Sequence, residues 1–144
     1  MPLTDQHRFG MQLAQMSRGW RAELDRRLAG LGLSQARWLV LLHLARFVEA
    51  PTQRELAQSV GVEGPTLARL LDSLESQGLV QRQAVLEDRR AKKIVLCPSA
   101  QPLIEQIETI ATALRIELFE GVDEAELKVC MRVHACILAN LEKS

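Results

Sequence analysis

Two short segments carry the side chains best suited to chemistry in this sequence, and both suit nucleic-acid binding. In the first, Arg69 lies one helical turn after Thr66, so the two share one face of a helix. A guanidinium can bond both acceptors of a guanine edge, and a threonine hydroxyl can bond a base edge or a phosphate. This segment predicts a base-reading face, with a merely solvated arginine as the alternative. Gly64 and Pro65 predict a helix N-terminus whose amides approach a phosphate.

The second segment, residues 81–96, holds five basic residues against two acidic ones. Arg89 and Arg90 lie at a charged tip between two apolar runs, where an arginine can enter a narrowed, electronegative minor groove. Phosphate contacts, which add affinity without sequence information, are predicted for the other three, Arg82, Lys92 and Lys93. A solvated hairpin tip is the alternative interpretation.

The elements that carry these segments form a recognisable order. Residues 52–78 predict two short helices joined by a tight turn at Gly61, which is a helix-turn-helix, although an ordinary helical hairpin also fits. Thr52 and Glu55 are spaced as a capping box at its start. The β-branched runs LVQRQAV and KKIVLC follow at once and predict a β-hairpin. A helix-turn-helix followed by a hairpin is typical of a winged helix.

The rest of the chain is predicted to be helical. A long amphipathic helix precedes a buried helix at 36–45, for which Ser34 is a suitable N-cap, and two amphipathic helices follow Pro98. The fold class is therefore mainly α with a small β-hairpin wing. The predicted parts are an N-terminal dimerisation helix (1–33), a winged helix-turn-helix DNA-binding domain (34–98) and C-terminal dimerisation helices (99–144).

Apolar stripes on the terminal helices predict a symmetric dimer, because one chain cannot cover them. The residues predicted to form the dimer contact are Leu13, Trp20, Leu114, Leu127, Ile137 and Leu141. A dimer would hold two recognition helices about one DNA turn apart, which favours an imperfect palindrome as the site.

The composition excludes several classes of protein. With 144 residues, 47% of them apolar and 25% charged, the chain has the make-up of a globular protein. Its apolar runs are much shorter than the roughly 20 residues of a membrane span. A polar N-terminus, where a secretory signal would be apolar, predicts a cytoplasmic protein. Glycine-rich phosphate loops, nucleophile motifs and metal-ligand spacings are absent, so neither enzymatic activity, nor a metal, nor a cofactor is predicted.

The net charge of zero, which alone would argue against a nucleic-acid partner, hides a segregated distribution. Basic residues concentrate in 81–96, whereas 99–126 holds seven acidic residues against Arg115 alone. One region can therefore face phosphates while another is kept away from them.

Three stretches carry a resemblance to a known family: RGWRAELDRRLAGLGLSQARWLVL, RELAQSVGVEGPTLARLLDSLESQGLVQRQ and EDRRAKKIVL. In this order, covering nearly the whole chain, they resemble the MarR family of bacterial regulators, most closely its SlyA type. The resemblance implies a dimeric DNA-binding regulator that blocks polymerase, as a repressor, or displaces another DNA-bound protein. It also implies, from the Asp-x-Arg pattern of the wing, that Asp88 orients Arg90.

The same resemblance implies a ligand site, since family members bind aromatic carboxylates such as salicylate in a crevice beside the DNA-binding part. The matching residues here are Arg18, Arg21 and Trp38, and the alternative is that these arginines pair with Glu23 or Asp25 and the tryptophan is core. Two other functions stay open at this point. One is a winged helix that binds proteins instead of DNA, and the other is redox sensing through Cys97, Cys130 or Cys136.

Overall fold

Six α-helices and one β-hairpin make up the part of the chain that the computed structural model describes, namely residues 1–33, 36–85 and 88–143, with residues 88–90 described by their backbone alone. In chain order the elements are α1 (Asp5–Leu28), a 3-10 turn (Ala29–Leu31), α2 (Arg37–Arg46), α3 (Gln53–Val60), α4 (Gly64–Ser76), β1 (Val80–Val85), β2 (Asp88–Leu96), α5 (Ala100–Leu118) and α6 (Glu124–Glu142). This order confirms the predicted fold class, a mainly helical chain with a hairpin wing.

Two compact units divide the chain, Met1–Thr112 and a second that begins at Ala113. The three-part division at residues 33 and 98 stays a prediction. No helix among the described residues has the length and apolar character to cross a membrane.

Local sequence signals set the ends of the helices. Thr52 caps α3 by accepting a hydrogen bond from the Glu55 amide (3.1 Å), and Glu55 accepts one from the Thr52 amide in return (3.1 Å). This confirms the predicted capping box. Gly61 ends α3 in the left-handed conformation (φ 83°), which glycine adopts without steric cost. The predicted N-cap of α2, Ser34, lies outside the described residues, and α2 begins after Ala36.

The core of the N-terminal unit is built around α2, as its nearly continuous apolar sequence predicts. Five of the ten residues of α2 are buried, including Trp38 at 2% exposure. α2 packs against α3, α4 and β2, and α4 packs against β1. The fully buried side chains contributed by these neighbours are Leu56, Leu67, Leu71, Leu74 and Ile94. Each such side chain stabilises the fold by about 1.5–3 kcal/mol.

The wing is attached to the helix-turn-helix through its second strand. β1 and β2 pair antiparallel from Val80↔Leu96 to Ala84↔Lys92, after which the register shifts. The Ile94 amide donates a hydrogen bond to the Pro51 carbonyl (2.9 Å), and a short bridge joins Thr52 to Lys93. The segment that leads into α3 is therefore fixed to the wing.

The second unit contains the end of α5 and all of α6. On α5, Leu114 is buried, with 1% of its surface exposed. α6 has no buried residue in the single chain. Its exposed apolar side chains are Val129, Met131, Val133, Ile137, Leu138 and Leu141.

Candidate nucleic-acid interface

The exposed face of α4 carries the residues predicted to read bases. Leu67 and Leu71 are fully buried, whereas Arg69 is exposed and Thr66 is half-buried. No hydrogen bond or ion pair to another described residue engages the Arg69 side chain. Within the described part of the chain, its guanidinium is therefore left without a partner.

The N-terminus of α4 leaves backbone donors open. Glu63 occupies the N-cap position in an extended conformation, and its side chain makes no capping hydrogen bond. Gly64 and Pro65 follow and are both exposed. The positive end of the helix dipole and the uncapped amides of this turn suit an anion.

Two arginines hold α4 in place, Arg37 near the C-terminal end of the helix and Arg82 near its middle. Near its C-terminal end, Arg37 donates hydrogen bonds to the Ser73 hydroxyl (2.9 Å) and the Gln77 side-chain oxygen (3.2 Å). Arg37 also donates to the Gly32 carbonyl (2.9 Å). The second arginine is Arg82 on β1, whose guanidinium donates to the Ala68 carbonyl (2.8 Å) and to Asp72 Oδ1 (2.7 Å). Arg82, predicted to contact phosphate, is thus placed against α4.

An open groove of about 970 Å³ lies between α3, the start of α4 and the wing. Arg54, Gln58, Gly64 and Lys92 are among the residues that line it. Three basic residues, Arg54, Arg82 and Lys92, line the groove beside the α4 N-terminus, together with the acidic Glu63; of the three, Arg54 and Lys92 are exposed. Arg54 is not among the residues predicted from the sequence to contact DNA. The signal that could have found it is its place in the first turn of α3, two residues after the Thr52 cap.

The two wing lysines do not share a face, because side chains alternate along a strand. Lys92 lines the groove. Lys93 lies beside α3, where the pKa of Glu55 is lowered first by its hydrogen bonds with Thr52 and further by the positive charge of Lys93. Of the two, Lys92 is placed on the same side as the α4 N-terminus.

The wing tip itself can be located only by its backbone. Asp88, Arg89 and Arg90 belong to β2, and Asp88 pairs with Val85 beyond the register shift. Their side chains lie outside the described residues, so the minor-groove roles of the arginines and the orienting role of Asp88 stay predictions.

The crevice residues separate into three environments. Trp38 is core, and its indole N–H donates to Asp25 Oδ1 (3.0 Å). Arg21 is exposed and lines a cavity of about 260 Å³ together with Asp25, Ala36 and Trp38. Arg18 is exposed and is not among the residues that line this cavity. Glu23 pairs instead with Arg26 and Arg27, so the alternative pairing of Arg18 or Arg21 with Glu23 is not the observed one.

Three of the six predicted dimer residues are exposed to solvent in the single chain. Leu13 is 48% exposed, Ile137 37% and Leu141 62%, while Trp20 and Leu127 are half-buried. Leu114 differs, since at 1% exposure its own chain already covers it. Leu114 therefore needs no partner chain to be shielded from water.

Among the described residues, the cysteines and histidines form neither a disulfide nor a metal-binding cluster. Cys97 is half-buried, Cys130 and Cys136 are exposed, and all three are free thiols. Within the described ranges, no group of three or more histidine, cysteine or carboxylate side chains could hold a metal ion. His43 lies 2.8 Å from the Ser59 hydroxyl, and burial lowers its pKa.

Comparison with known proteins gives consistent matches. A sequence model described as "MarR family" matches residues 31–91. The crystal structure of the transcriptional regulator PA3341 is 69% identical to this chain, with a TM-score of 0.89, and the match covers 94% of this chain and 99% of that one.

Two more distant structures share the fold. MepR from S. aureus, solved in complex with DNA, is 24% identical with a TM-score of 0.79, covering 96% of this chain and 99% of that one. CouR from Rhodococcus jostii RHA1, solved with bound p-coumaroyl-CoA, is 24% identical with a TM-score of 0.78, covering 90% of each chain.

Proposed function

Because this chain belongs to the MarR family of transcriptional regulators and is not an enzyme, we propose that it binds an imperfect DNA palindrome as a homodimer. In this proposal α4 enters the major groove, and the hairpin wing lies against the minor groove. The observation that carries it is the exposed face of α4, where Arg69 has no partner among the described residues and projects opposite the buried leucines.

The groove beside α4 suits the sugar-phosphate backbone. Arg54 and Lys92 line it, and the uncapped α4 N-terminus at Gly64 opens into it. These groups supply positive charge without base selectivity, so they would set affinity and register while Arg69 and Thr66 select sequence. MepR, which shares this fold, was solved in complex with DNA, and this supports DNA as the partner.

Dimerisation follows from α6, a helix of 19 residues with none of them buried in the single chain. Most of the stability of a helix in a protein comes from packing its apolar face and not from intrinsic helix propensity. A second copy of the chain is the proposed partner for Ile137 and Leu141 on α6 and for Leu13 on α1, because the symmetric arrangement also provides two copies of α4.

The experiment that tests DNA reading is selection of bound duplexes from a random pool, followed by affinity measurements on the selected site. Arg69→Ala should weaken binding roughly 5- to 150-fold per half-site and flatten the preference at one base pair in each half. The matched control is Lys92→Ala, which should weaken selected and random duplexes alike and reduce the salt slope by about one per site.

Two outcomes would overturn the proposal. One is a wild-type protein that enriches no sequence and binds duplex without salt dependence, which is the behaviour of a winged helix that binds proteins. The other is an Arg69→Ala variant with unchanged base preference at every position.

Release by a small aromatic carboxylate is the proposed regulation, supported by the cavity that Arg21 and Trp38 line. A guanidinium beside an indole suits an anionic ring, and CouR shows that this fold can hold an aromatic acyl ligand. Salicylate should weaken DNA binding, and DNA should weaken salicylate binding by the same factor. Arg21→Ala should abolish the mutual weakening of salicylate and DNA binding, whereas Arg18→Ala, one turn away and outside the cavity, should reduce it less. An equal salicylate affinity with and without DNA would contradict the proposed release of DNA by salicylate.

A further inference from the structure

Arg82 makes more contacts to α4 than a surface arginine of a wing requires. Its guanidinium donates hydrogen bonds to the Ala68 carbonyl (2.8 Å) and Asp72 Oδ1 (2.7 Å), with Glu75 Oε1 at 3.4 Å. Its backbone amide donates to the other carboxylate oxygen of Glu75 (3.2 Å). Three successive turns of the recognition helix are thereby joined to one residue of the first wing strand.

Arg82 lines the groove beside α4, but its burial and its carboxylate partners leave its guanidinium little capacity to bind a phosphate. The Arg82 side chain is only 15% exposed, and its Nε atom is buried without a partner among the described residues. Two carboxylates already balance its single positive charge. If Arg82 turned toward DNA, Asp72 and Glu75 would be left unpaired near the phosphates, where their charges repel the backbone.

The contacts also fall on the part of α4 that reads bases. Ala68 immediately precedes Arg69, and Asp72 lies one turn after it on the same side of the helix. A bond to the Ala68 carbonyl fixes the backbone at the position from which the Arg69 side chain departs. Bidentate recognition of a base edge needs that departure point to be placed accurately relative to the rest of the interface.

We propose that Arg82 is a positioning residue for sequence readout: it holds α4 at a fixed angle to the wing so that Arg69 and the wing engage one duplex together, and it contacts no phosphate. The inference rests on the proposed function, because it requires that Arg69 reads a base. The Arg82 guanidinium is suited to this role since its planar fork reaches a carbonyl and a carboxylate at once.

The test measures affinity for the selected site and for a random duplex at several salt concentrations, with Arg82→Gln, Arg82→Lys and Asp72→Asn. Arg82→Gln should lose roughly tenfold of its preference for the selected site, chiefly at the base pair assigned to Arg69, with the salt slope unchanged. Arg82→Lys should lose a similar preference, since an ammonium keeps the charge but not the fork. Lys92→Gln, the control, should lower both affinities equally and reduce the slope.

Asp72→Asn keeps the test decisive if the Arg82 variants fold poorly, because Asp72 is an exposed helix residue (69%). The proposal expects a reduced preference for the selected site, although a negative charge near DNA has been removed. If a variant were only partly folded, its apparent affinities for the selected site and for the random duplex would fall by the same factor. The ratio of the two affinities would stay unchanged, so this ratio distinguishes a positioning role from a loss of stability.

Three results would each overturn the positioning role and favour a phosphate contact for Arg82. The first is a wild-type preference for the selected site in Arg82→Lys, and the second is a salt slope that Arg82→Gln reduces as much as Lys92→Gln does. The third is a raised preference for the selected site in Asp72→Asn. These results differ from failure of the proposed function, in which the wild-type protein itself would show no preference between the selected and random duplexes.

Discussion

Truncation of Leu141 on α6 should weaken the dimer without unfolding the chain. Leu141 is 62% exposed in the single chain. If the partner covers that fraction, Leu141→Ala removes about 1.5 kcal/mol of burial per chain, taking about 0.8 kcal/mol for each carbon lost. Both chains carry the change, so the dimer loses about 3 kcal/mol and its dissociation constant should rise roughly 100-fold.

Leu114 was predicted from the same kind of stripe, but its truncation should act differently. Because Leu114 is 1% exposed within one chain, Leu114→Ala leaves a cavity and should cost about 2–5 kcal/mol of folding free energy. The urea midpoint should fall at every protein concentration. The effect on the dissociation constant should be small by comparison, because no partner surface is removed.

Sedimentation equilibrium over a range of concentrations gives the dissociation constants, and urea unfolding at two concentrations gives the folding free energies. Val48→Ala is the matched control, since Val48 is a fully exposed apolar residue (102%) in the loop between α2 and α3. An unchanged dissociation constant for Leu141→Ala would refute the reasoning. So would a rise of equal size in the Val48→Ala control.

Two further predictions concern local energetics in the N-terminal unit. Ala36 adopts the left-handed conformation (φ 66°), which costs a residue with a Cβ about 1–2 kcal/mol. Ala36→Gly should therefore stabilise the fold by roughly 0.5–1 kcal/mol, measured by urea unfolding. A lower urea midpoint for the variant would contradict this prediction. Hydrogen bonds from Arg26 and then Arg27 lower the pKa of Glu23 from 4.5 to about 2. This pairing therefore stabilises the fold above about pH 4.5, and the stabilisation is lost as the pH falls toward 2. Glu23→Gln should flatten the decline of the unfolding free energy between these two pH values. A Glu23 carboxyl pKa near 4.5 by NMR titration would contradict this prediction.

The sequence predicts the order of the helices and the hairpin well because those signals are local. The capping pair Thr52 and Glu55, the turn glycine Gly61 and the apolar run of α2 each act over a few residues, and the structure contains all three as predicted. Periodicity also indicates which face of a helix is apolar. It does not indicate which chain covers that face, so Leu114 and Leu141 look alike in sequence although one is buried and the other is open.

The partners of Arg82 could not be predicted for a related reason. Asp72 and Glu75 precede it by ten and seven residues, across the end of α4 and the start of β1. Their approach depends on how the strand packs against the helix, which is a tertiary property. Arg54 was overlooked because its role depends on a groove formed with the start of α4 and the wing.

A net charge of zero is compatible with DNA binding because the sum of charges does not decide what a phosphate meets. Arg82 is paired with carboxylates on α4, and Arg26 and Arg27 are paired with Glu23, so these cations add little to the outer field. Arg54, Arg69 and Lys92 have no recorded partner among the described residues and lie around α4 and its groove. The charge that would face DNA therefore depends on which cations around α4 lack a carboxylate partner, and Asp72 and Glu75 balance the charge of Arg82 beside them.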